Sequence, residues 1–440
     1  MPKTKSKVKT RVQSKVQAAT TELILQEPRG MHDILPGEMP LWEKFEKEAK
    51  EIAEFYNFNK IETPILENAE LFSRGIGQGT DIVEKEMFVL RTKGGMKLAL
   101  RPEMTAPVIR SFNSHGLHKS PQPQKLYYLG PAFRHESPQA GRYRQFHQLG
   151  FEIISGDGDV NPVYDAQSII VTYRFLEEMK IKNLNIQVNS IGCRSCRANY
   201  RRKLLEHYKG EEICRDCQER LGINPLRVLD CKNKICQPVK SSAPGILDYL
   251  CSLCGNHFRQ VLEFLDEVKL PYTLNPQLVR GLDYYNRTVF EIFGEEGGLA
   301  VAGGGRYDYL SEMLGGRQAA AVGVSIGAER IIEILKSKYE TPAPKPKVFL
   351  VYVGELAKRK SLSLVEELRR EKISLYEALG KNSLAAQLEA AGRLKSPLAL
   401  IFGQKESHED NIIIRDMETG VQEVVPLSKI SDEVKRRLHS

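Results

Sequence analysis

Between Tyr127 and Ile153 the chain reads YYLGPAFRHESPQAGRYRQFHQLGFEI, two strand-like runs around a loop with a proline and a glycine. With the two-residue repeat of a strand, Tyr128, Gly130, Ala132, Arg134 and Glu136 share one face, and Phe146, Gln148, Gly150 and Glu152 share one face of the second run. Glycine and alanine make a floor that lets a ligand approach the backbone. Around it stand an arginine suited to a phosphate, and an amide and carboxylate suited to a cationic or hydrogen-bonding group. The same pattern fits an amphipathic hairpin with one solvated face, and both readings stand on these residues alone.

Three other stretches offer polar chemistry. Glu103 and Thr105 sit two apart before the helix-like run TAPVIRSF. Together they can receive an amino group; alternatively Thr105 caps the helix and Glu103 is exposed. In LVRGLDYYNRTVFEIF (278–293), strand-like at both ends, Arg280, Asp283, Tyr284 and Tyr285 surround a glycine, a ligand site or an ordinary ion-pair site. AVAGGGRYDYL (300–310) lacks the GK[ST] of a phosphate loop and the setting of a dinucleotide fingerprint; its glycines are expected to let backbone approach a ligand. AAAVGVSIGAERIIEIL (319–335) reads as a small-residue strand entering a helix, with Arg330 near the helix start.

All eight cysteines lie between 193 and 254, as Cys193/Cys196, Cys214/Cys217, Cys231/Cys236 and Cys251/Cys254. Three pairs are C-x-x-C. With no secretory signal visible, this spacing reads as metal binding before disulfides, and eight thiolates match two structural zinc ions in all-cysteine sites. A helical insertion with ordinary buried thiols is the alternative. The basic run RRKLLEHYKG within it faces RNA or is a solvated helix face.

The elements that must position these groups follow from periodicity. LWEKFEKEAKEIAEFY places Leu41, Phe45, Ala49, Ile52 and Phe55 at helical spacing toward a core, and KIETPILE follows as a strand broken by Pro64. EMFVLRT, KGG and MKLALRPE form a hairpin turning at Gly94 and Gly95. NPVYDAQSIIVTYRFLEEMKI reads as a helix and LNIQVNSI as a strand. Past the Pro/Lys linker KYETPAPKPK, alternating strands and helices from VFLVYV to VQEVV predict a small α/β domain with a mixed sheet.

At 440 residues, 41% hydrophobic and 27% charged, the chain has room for two or three globular domains. No apolar run approaches the roughly 18 residues of a membrane span, and a cytoplasmic location is expected. Of the net charge of +8, residues 1–21 carry five Lys and one Arg and no acid. The rest is nearly neutral, so a nucleic acid must be held by local patches. The basic tail 1–27 is expected to be disordered.

The FRHE and GRYRQFHQLGFEI segments resemble motif 2 of class II aminoacyl-tRNA synthetases, in the version of histidyl-tRNA synthetase. RPE-x-T and LVRGLDYY resemble that family's amino-acid loop and signature, GAER its motif 3, and the Leu41 helix with its Pro-containing strand motif 1. The resemblance covers residues 28 to 440. It implies an α+β class II catalytic core, an antiparallel sheet flanked by helices, in 28–185 and 273–338. It also implies a helical Cys-rich insertion (186–272), a linker (339–347) and an α/β anticodon-binding domain (348–440). The implied activity is a histidine–tRNA ligase with L-histidine, ATP, Mg²⁺ and histidine tRNA, acting as a homodimer. By motif match, Glu103, Thr105 and Gln148 hold the α-amino group. Glu152 and Tyr285 pair the imidazole nitrogens, with Tyr284 beside them. Arg134 and Arg280 neutralise the α-phosphate, Phe146 stacks on adenine, Arg330 anchors the γ-phosphate, and Arg142 joins the ATP side. Met104, Ser137 and Ala140 depart from the family pattern, the last two leaving fewer charges toward an acceptor stem.

Two rival readings are the non-catalytic, synthetase-like histidine-sensing regulatory subunit of ATP phosphoribosyltransferase, and a zinc-dependent RNA-binding protein. The first lacks an anticodon-binding domain, which residues 348–440 resemble here. The second leaves the ordered motifs unexplained.

Overall fold

The computed structural model describes residues 25–77, 80–139, 141–294, 298–336, 347–381 and 383–439. Most of the basic tail, most of the Pro/Lys linker and Ala140 lie outside these residues. The chain divides into two compact units, Met1–Tyr339 and Glu340–Ser440.

In the first unit the strands are β1 (Asn59–Lys60), β2 (Leu66–Asn68), β3 (Val89–Arg91), β4 (Lys97–Leu100), β5 (Gln124–Phe133), β6 (Gln145–Ser155), β7 (Asn185–Ser190), β8 (Tyr272–Leu274), β9 (Asn286–Phe293), β10 (Ala300–Arg306) and β11 (Ala320–Gly327). Eight form one sheet in the order β1-β5-β6-β11-β10-β9-β7-β8. Its pairings are antiparallel except at the two edges, β1 with β5 and β7 with β8. A small sheet, β2-β4-β3, contains the expected hairpin, with Gly95 at φ +84° in its turn.

The alternation of β6 divides the molecule. Leu149, Phe151 and Ile153 enter a core with Val322, Val324 and Ile326 of β11, covered by the helices Met39–Phe55, Pro162–Glu178 and Ser252–Glu267. Phe146, Gln148, Gly150 and Glu152 take the other face, where Tyr128 pairs with Gly150, Gly130 with Gln148 and Ala132 with Phe146. The face read from the pleat is therefore the one that forms, and it is not the solvated side of a hairpin.

The first helix departs from its expected stripe. Leu41, Trp42, Phe45, Ala49 and Ala53 are buried, whereas Phe55 is 78% exposed. The buried row advances by four residues, and Phe55 stands about 200° around the helix from Ala53. The signature stretch also departs: only its second half is a strand, since Leu278–Tyr285 is irregular and β9 begins at Asn286.

The three consecutive glycines of β10 admit protein groups and not only a ligand. A Cβ on Gly303 would lie 2.4 Å from the Arg280 guanidinium, and one on Gly304 would lie 2.2 Å from the Gly323 carbonyl. On Gly305 it would lie 2.5 Å from the Thr288 carbonyl.

A buried ion network ties strands to helices beneath the site. Arg306, 1% exposed, bonds Asp165, and its Nη1 donates to Asp308 at 3.0 Å. His257 lies 3.3 Å from Asp165, and Asn286 donates to Asp308 at 2.7 Å. Burial alone would raise the Asp165 carboxyl, but the Arg306 charge prevails and holds it below the usual range.

The second unit holds strands Val348–Tyr352, Tyr376–Glu377, Leu398–Phe402, Asn411–Asp416 and Gln422–Pro426. Parallel pairs on one side and antiparallel pairs on the other make the expected mixed sheet. Only ISLY is shorter than expected, pairing through Tyr376 and Glu377.

Gly304→Ala forces apart two central strands of the first unit. It is expected to cost about 1–3 kcal/mol, read as a lower midpoint in chemical denaturation. An unchanged midpoint would show that β10 and β11 can yield there.

Candidate functional site

Glu152 is fully enclosed, and three hydroxyls point at its carboxylate. Thr105 Oγ1 donates to Oε1 at 2.7 Å and Tyr128 Oη to the same oxygen at 3.1 Å, while Tyr307 Oη donates to Oε2. Glycines make this fit. A Cβ on Gly150 would lie 2.1 Å from the Tyr128 ring, and one on Gly323 would lie 1.5 Å from Glu152 Oε2. Because Gly323 pairs with Glu152 across β6 and β11, the acid lies over its bare neighbour.

Glu103 is buried too, against the reading that left it exposed. Its oxygens accept from the amides of Thr105 at 2.8 Å and Ala106 at 2.9 Å, so the acid caps the helix Thr105–Ser114. Thr105 is the first residue of that helix, and its hydroxyl is free to reach Glu152. Met104 is 1% exposed in the core and leaves both flanking side chains in place. Tyr284 Oη approaches Glu103 at 3.4 Å.

Beyond Gln148 the same face opens into a cleft of about 170 Å³ whose lining includes Arg134, Arg142, Arg280, Arg330, Phe146 and Gln148. Gln148 is 8% exposed, and its Oε1 has no partner among the described residues. Arg134 donates from Nε to the Pro102 carbonyl at 2.9 Å and lies 5.2 Å above the Phe146 ring. Arg280 pairs with Glu291 and lies 5.7 Å above Tyr285. Arg330 donates to the carbonyls of Gly141 and Ala300. Burial, then the charges of Arg142 and Arg134, lower its affinity for its proton. A cleft whose cations already repel one another favours an anion with several charges.

Glu152 does not line this cleft directly. Aromatic contacts join the two: Arg280 to Tyr285, Tyr285 to Tyr307 at 6.3 Å between centroids, and Tyr307 to Glu152 by hydrogen bond. Tyr284 packs against Tyr285 with the rings tilted by 48° and their centroids 4.6 Å apart. The structure therefore brings the hairpin, helix-start and signature residues into one continuous region. The hydroxyls on Glu152 are those of Thr105, Tyr128 and Tyr307, and those of Tyr284 and Tyr285 are not among them. Sequence reasoning assigned no role to Tyr128, Tyr307 or Glu291. Glu291 stood out as an acid in the apolar run TVFEIF; RYDY gave no comparable signal for Tyr307.

The cysteines assemble as two clusters, Cys193, Cys196, Cys251 and Cys254, and Cys214, Cys217, Cys231 and Cys236, with sulfurs within 4.8 Å of one another. The first pair joins the last, and the middle pairs join each other. Sulfur separations of 3.7 Å (Cys193 to Cys196) and 3.8 Å (Cys214 to Cys231) match the edge, about 3.8 Å, of a tetrahedron of thiolates about 2.3 Å from zinc. Backbone amides already serve the sulfurs: Cys214 N–H points to Cys236 Sγ at 3.2 Å and Cys251 N–H to Cys196 Sγ at 3.1 Å.

Comparison with known proteins adds the following. A family model described as histidyl-tRNA synthetase matches residues 30–196 and 248–331, and one described as an anticodon binding domain matches 347–437. The chain is 44% identical over 419 residues to a histidine–tRNA ligase of Dehalococcoides mccartyi, covering 94% of this chain and 100% of that one. It is 43% identical over 413 residues to a histidine–tRNA ligase of Thermodesulfovibrio yellowstonii, covering 93% and 98%. The crystal structure of the apo histidyl-tRNA synthetase of S. aureus superposes with a TM-score of 0.76 at 32% identity, over 94% of this chain and 100% of that chain.

Burial lifts the Glu152 carboxyl from its ordinary 4.5 to about 8, against the pull of the three hydroxyls. The stability this gives is complete below about pH 4.5, where folded and unfolded chains are both protonated, and is lost as pH rises through about 8. Glu152→Gln removes the dependence. Its melting temperature relative to the parent is expected to be more favourable at pH 9 than at pH 5; a pH-independent difference would contradict the proton assignment.

Proposed function

Since the chain belongs to the histidyl-tRNA synthetase family, we propose that the enclosed carboxylate and the arginine cleft are the two halves of one aminoacylation site. The protein is a histidine–tRNA ligase that uses ATP. A histidine carboxylate oxygen attacks the α-phosphorus of ATP, the bond to the β-phosphate breaks, and pyrophosphate leaves. A hydroxyl of the terminal ribose of histidine tRNA then takes the histidyl group and AMP is released.

The observation that carries this reading is Glu152, a buried acid ringed by hydroxyls and joined through Tyr307 and Tyr285 to Arg280 of the four-arginine cleft. We assign the imidazole to Glu152, with Tyr284, Tyr285 and the hydroxyl of Tyr307 around it. The α-amino group falls to Glu103, Thr105 and the unpaired Oε1 of Gln148. Arg134 and Arg280 stabilise charge growing on the α-phosphate; for Arg280 this means exchanging Glu291 for the nucleotide. Phe146 offers adenine its ring, and Arg330 with Arg142 holds the outer phosphates. Catalysis by these residues is positioning and electrostatics, with no covalent nucleophile. Glu136 and Glu291 line the cleft with oxygen ligands of the kind Mg²⁺ takes, and the ion supplies neutralisation of the leaving pyrophosphate. Selectivity is ascribed to the fit of an imidazole N–H to Glu152 beside its three hydroxyls, which a side chain without that donor cannot reproduce.

We further assign residues 28–185 and 273–338 to the catalytic core, 186–272 to the insertion and 348–440 to anticodon binding. Each four-cysteine cluster suits one structural zinc ion. Leu66, Val89, Leu90 and Met96 are exposed apolar residues on or beside the small sheet, and they fit a subunit contact of a homodimer; a cytoplasmic location goes with the ligase reading. Among the described residues no helix is long and apolar enough to cross a membrane.

Charging of histidine tRNA, measured against the other amino acids, tests the reading. Glu152→Gln, Arg280→Ala and Gly323→Ala are each expected to lose histidine-dependent ATP–pyrophosphate exchange while keeping the fold by circular dichroism. Exchange at the parental rate in Glu152→Gln would remove Glu152 from the site. Metal analysis of the purified chain is expected to give two zinc per chain.

A further inference from the structure

The irregular stretch Leu278–Tyr285 carries Arg280 and both signature tyrosines, so whatever fixes its path fixes the site. Few of its backbone groups are held by neighbouring strands. Asn189 of β7 donates to the Leu278 carbonyl at 2.9 Å, and the Asp283 amide donates to the Ile76 carbonyl at 3.0 Å. Glu291 of β9 pairs with Arg280, Glu103 accepts from Tyr284, and three further anchors come from the cysteine segment. Arg197 Nη1 donates to the Tyr285 carbonyl at 3.1 Å, Asn224 Nδ2 to Asp283 Oδ1 at 2.9 Å, and Arg227 Nη2 to the Gly281 carbonyl at 3.4 Å.

Each anchor is bound to a cluster by the chain itself. Arg197 follows Cys196 directly. Asn224 ends the helix Arg215–Ile223, which contains Cys217, and Arg227 lies in the turn Pro225–Asp230, which runs into Cys231. The second cluster therefore pins both ends of the segment that supplies Asn224 and Arg227. The packing is continuous as well: Tyr200, Leu204, Cys217, Leu229, Cys231 and Cys236 share one apolar cluster with Tyr284, Tyr285 and Tyr307.

We propose that the two four-cysteine clusters are zinc sites that position the Leu278–Tyr285 stretch, so that metal occupancy sets how well the cleft takes histidine. This rests on the reading of the cleft as a histidine and ATP site. Arg197, Asn224 and Arg227 are its positioning residues; none touches substrate. Arg280 of this stretch acts on the α-phosphate, but the other three cleft arginines belong to other elements, so the larger effect falls on the amino acid.

The test uses the full-length protein, as purified, stripped of zinc by a chelator under reducing conditions, and refilled with zinc alone. Stripping is expected to release two zinc per chain, speed amide hydrogen exchange in 278–287, and raise the KM for histidine by about tenfold or more. The KM for ATP changes little, and zinc restores all three readings. Arg197→Ala and Asn224→Ala, with every cysteine in place, are expected to keep two zinc and still raise the histidine KM, and Arg197→Lys to recover part of the loss. A chain that activates histidine while holding only trace zinc overturns the proposal. So does a stripped chain, or an Arg197→Ala/Asn224→Ala double variant, with unchanged exchange in 278–287 and unchanged histidine KM. In each of these the ligase reading survives. Failure of the zinc-loaded parent to charge histidine tRNA would instead remove the premise.

Discussion

A carboxylate sealed from water and answered by three hydroxyls is the constraint on which this structure turns. An isolated buried acid is costly, and Glu152 is tolerated because Thr105, Tyr128 and Tyr307 reach it from three separate segments. Those segments are thereby fixed to one another: the helix start at Thr105, the strand β5 and the end of β10. Space for the arrangement comes from Gly150 and Gly323, which take no room beneath the tyrosine and the acid. Specificity and fold are thus the same set of contacts. The acid gathers the three segments that enclose it.

The second half of the site has the opposite electrostatics. Four arginines line a cleft, and they are spread over different elements: the β5–β6 connection, the signature stretch and the helix after β11. Their partners are carbonyls for Arg134 and Arg330 and single carboxylates for Arg142 and Arg280. The Arg306–Asp165–Asp308 network below ties β9, β10 and the helix Pro162–Glu178 together.

Much of this was legible because it is local. The pleat of β5 and β6 obeys the two-residue repeat, so the polar face could be read directly from Tyr128 to Glu152. Cysteine spacing announced clusters for the same reason: C-x-x-C puts two sulfurs at one helix start. What escaped reading is non-local. That Cys193 meets Cys254 and not Cys217 depends on where β7 and the helix Ser252–Glu267 lie. Tyr307 reaches Glu152 only because β10 and β11 pair as they do. The three glycines of β10 signalled close approach, but not that Arg280 and strand backbone would fill the space. Phe55 misled because helical spacing tells which residues share a stripe and not where the stripe leaves the core.

The concentric arrangement of the thiols has a consequence for synthesis. The inner four are complete once residue 236 has emerged, and they close a short excursion of chain, for which the entropic cost is small. The outer four must wait for residue 254. The short inner excursion, which carries Asn224 and Arg227, is thus complete in the chain before its flanks can be brought together and before the stretch from 278 to 285 follows.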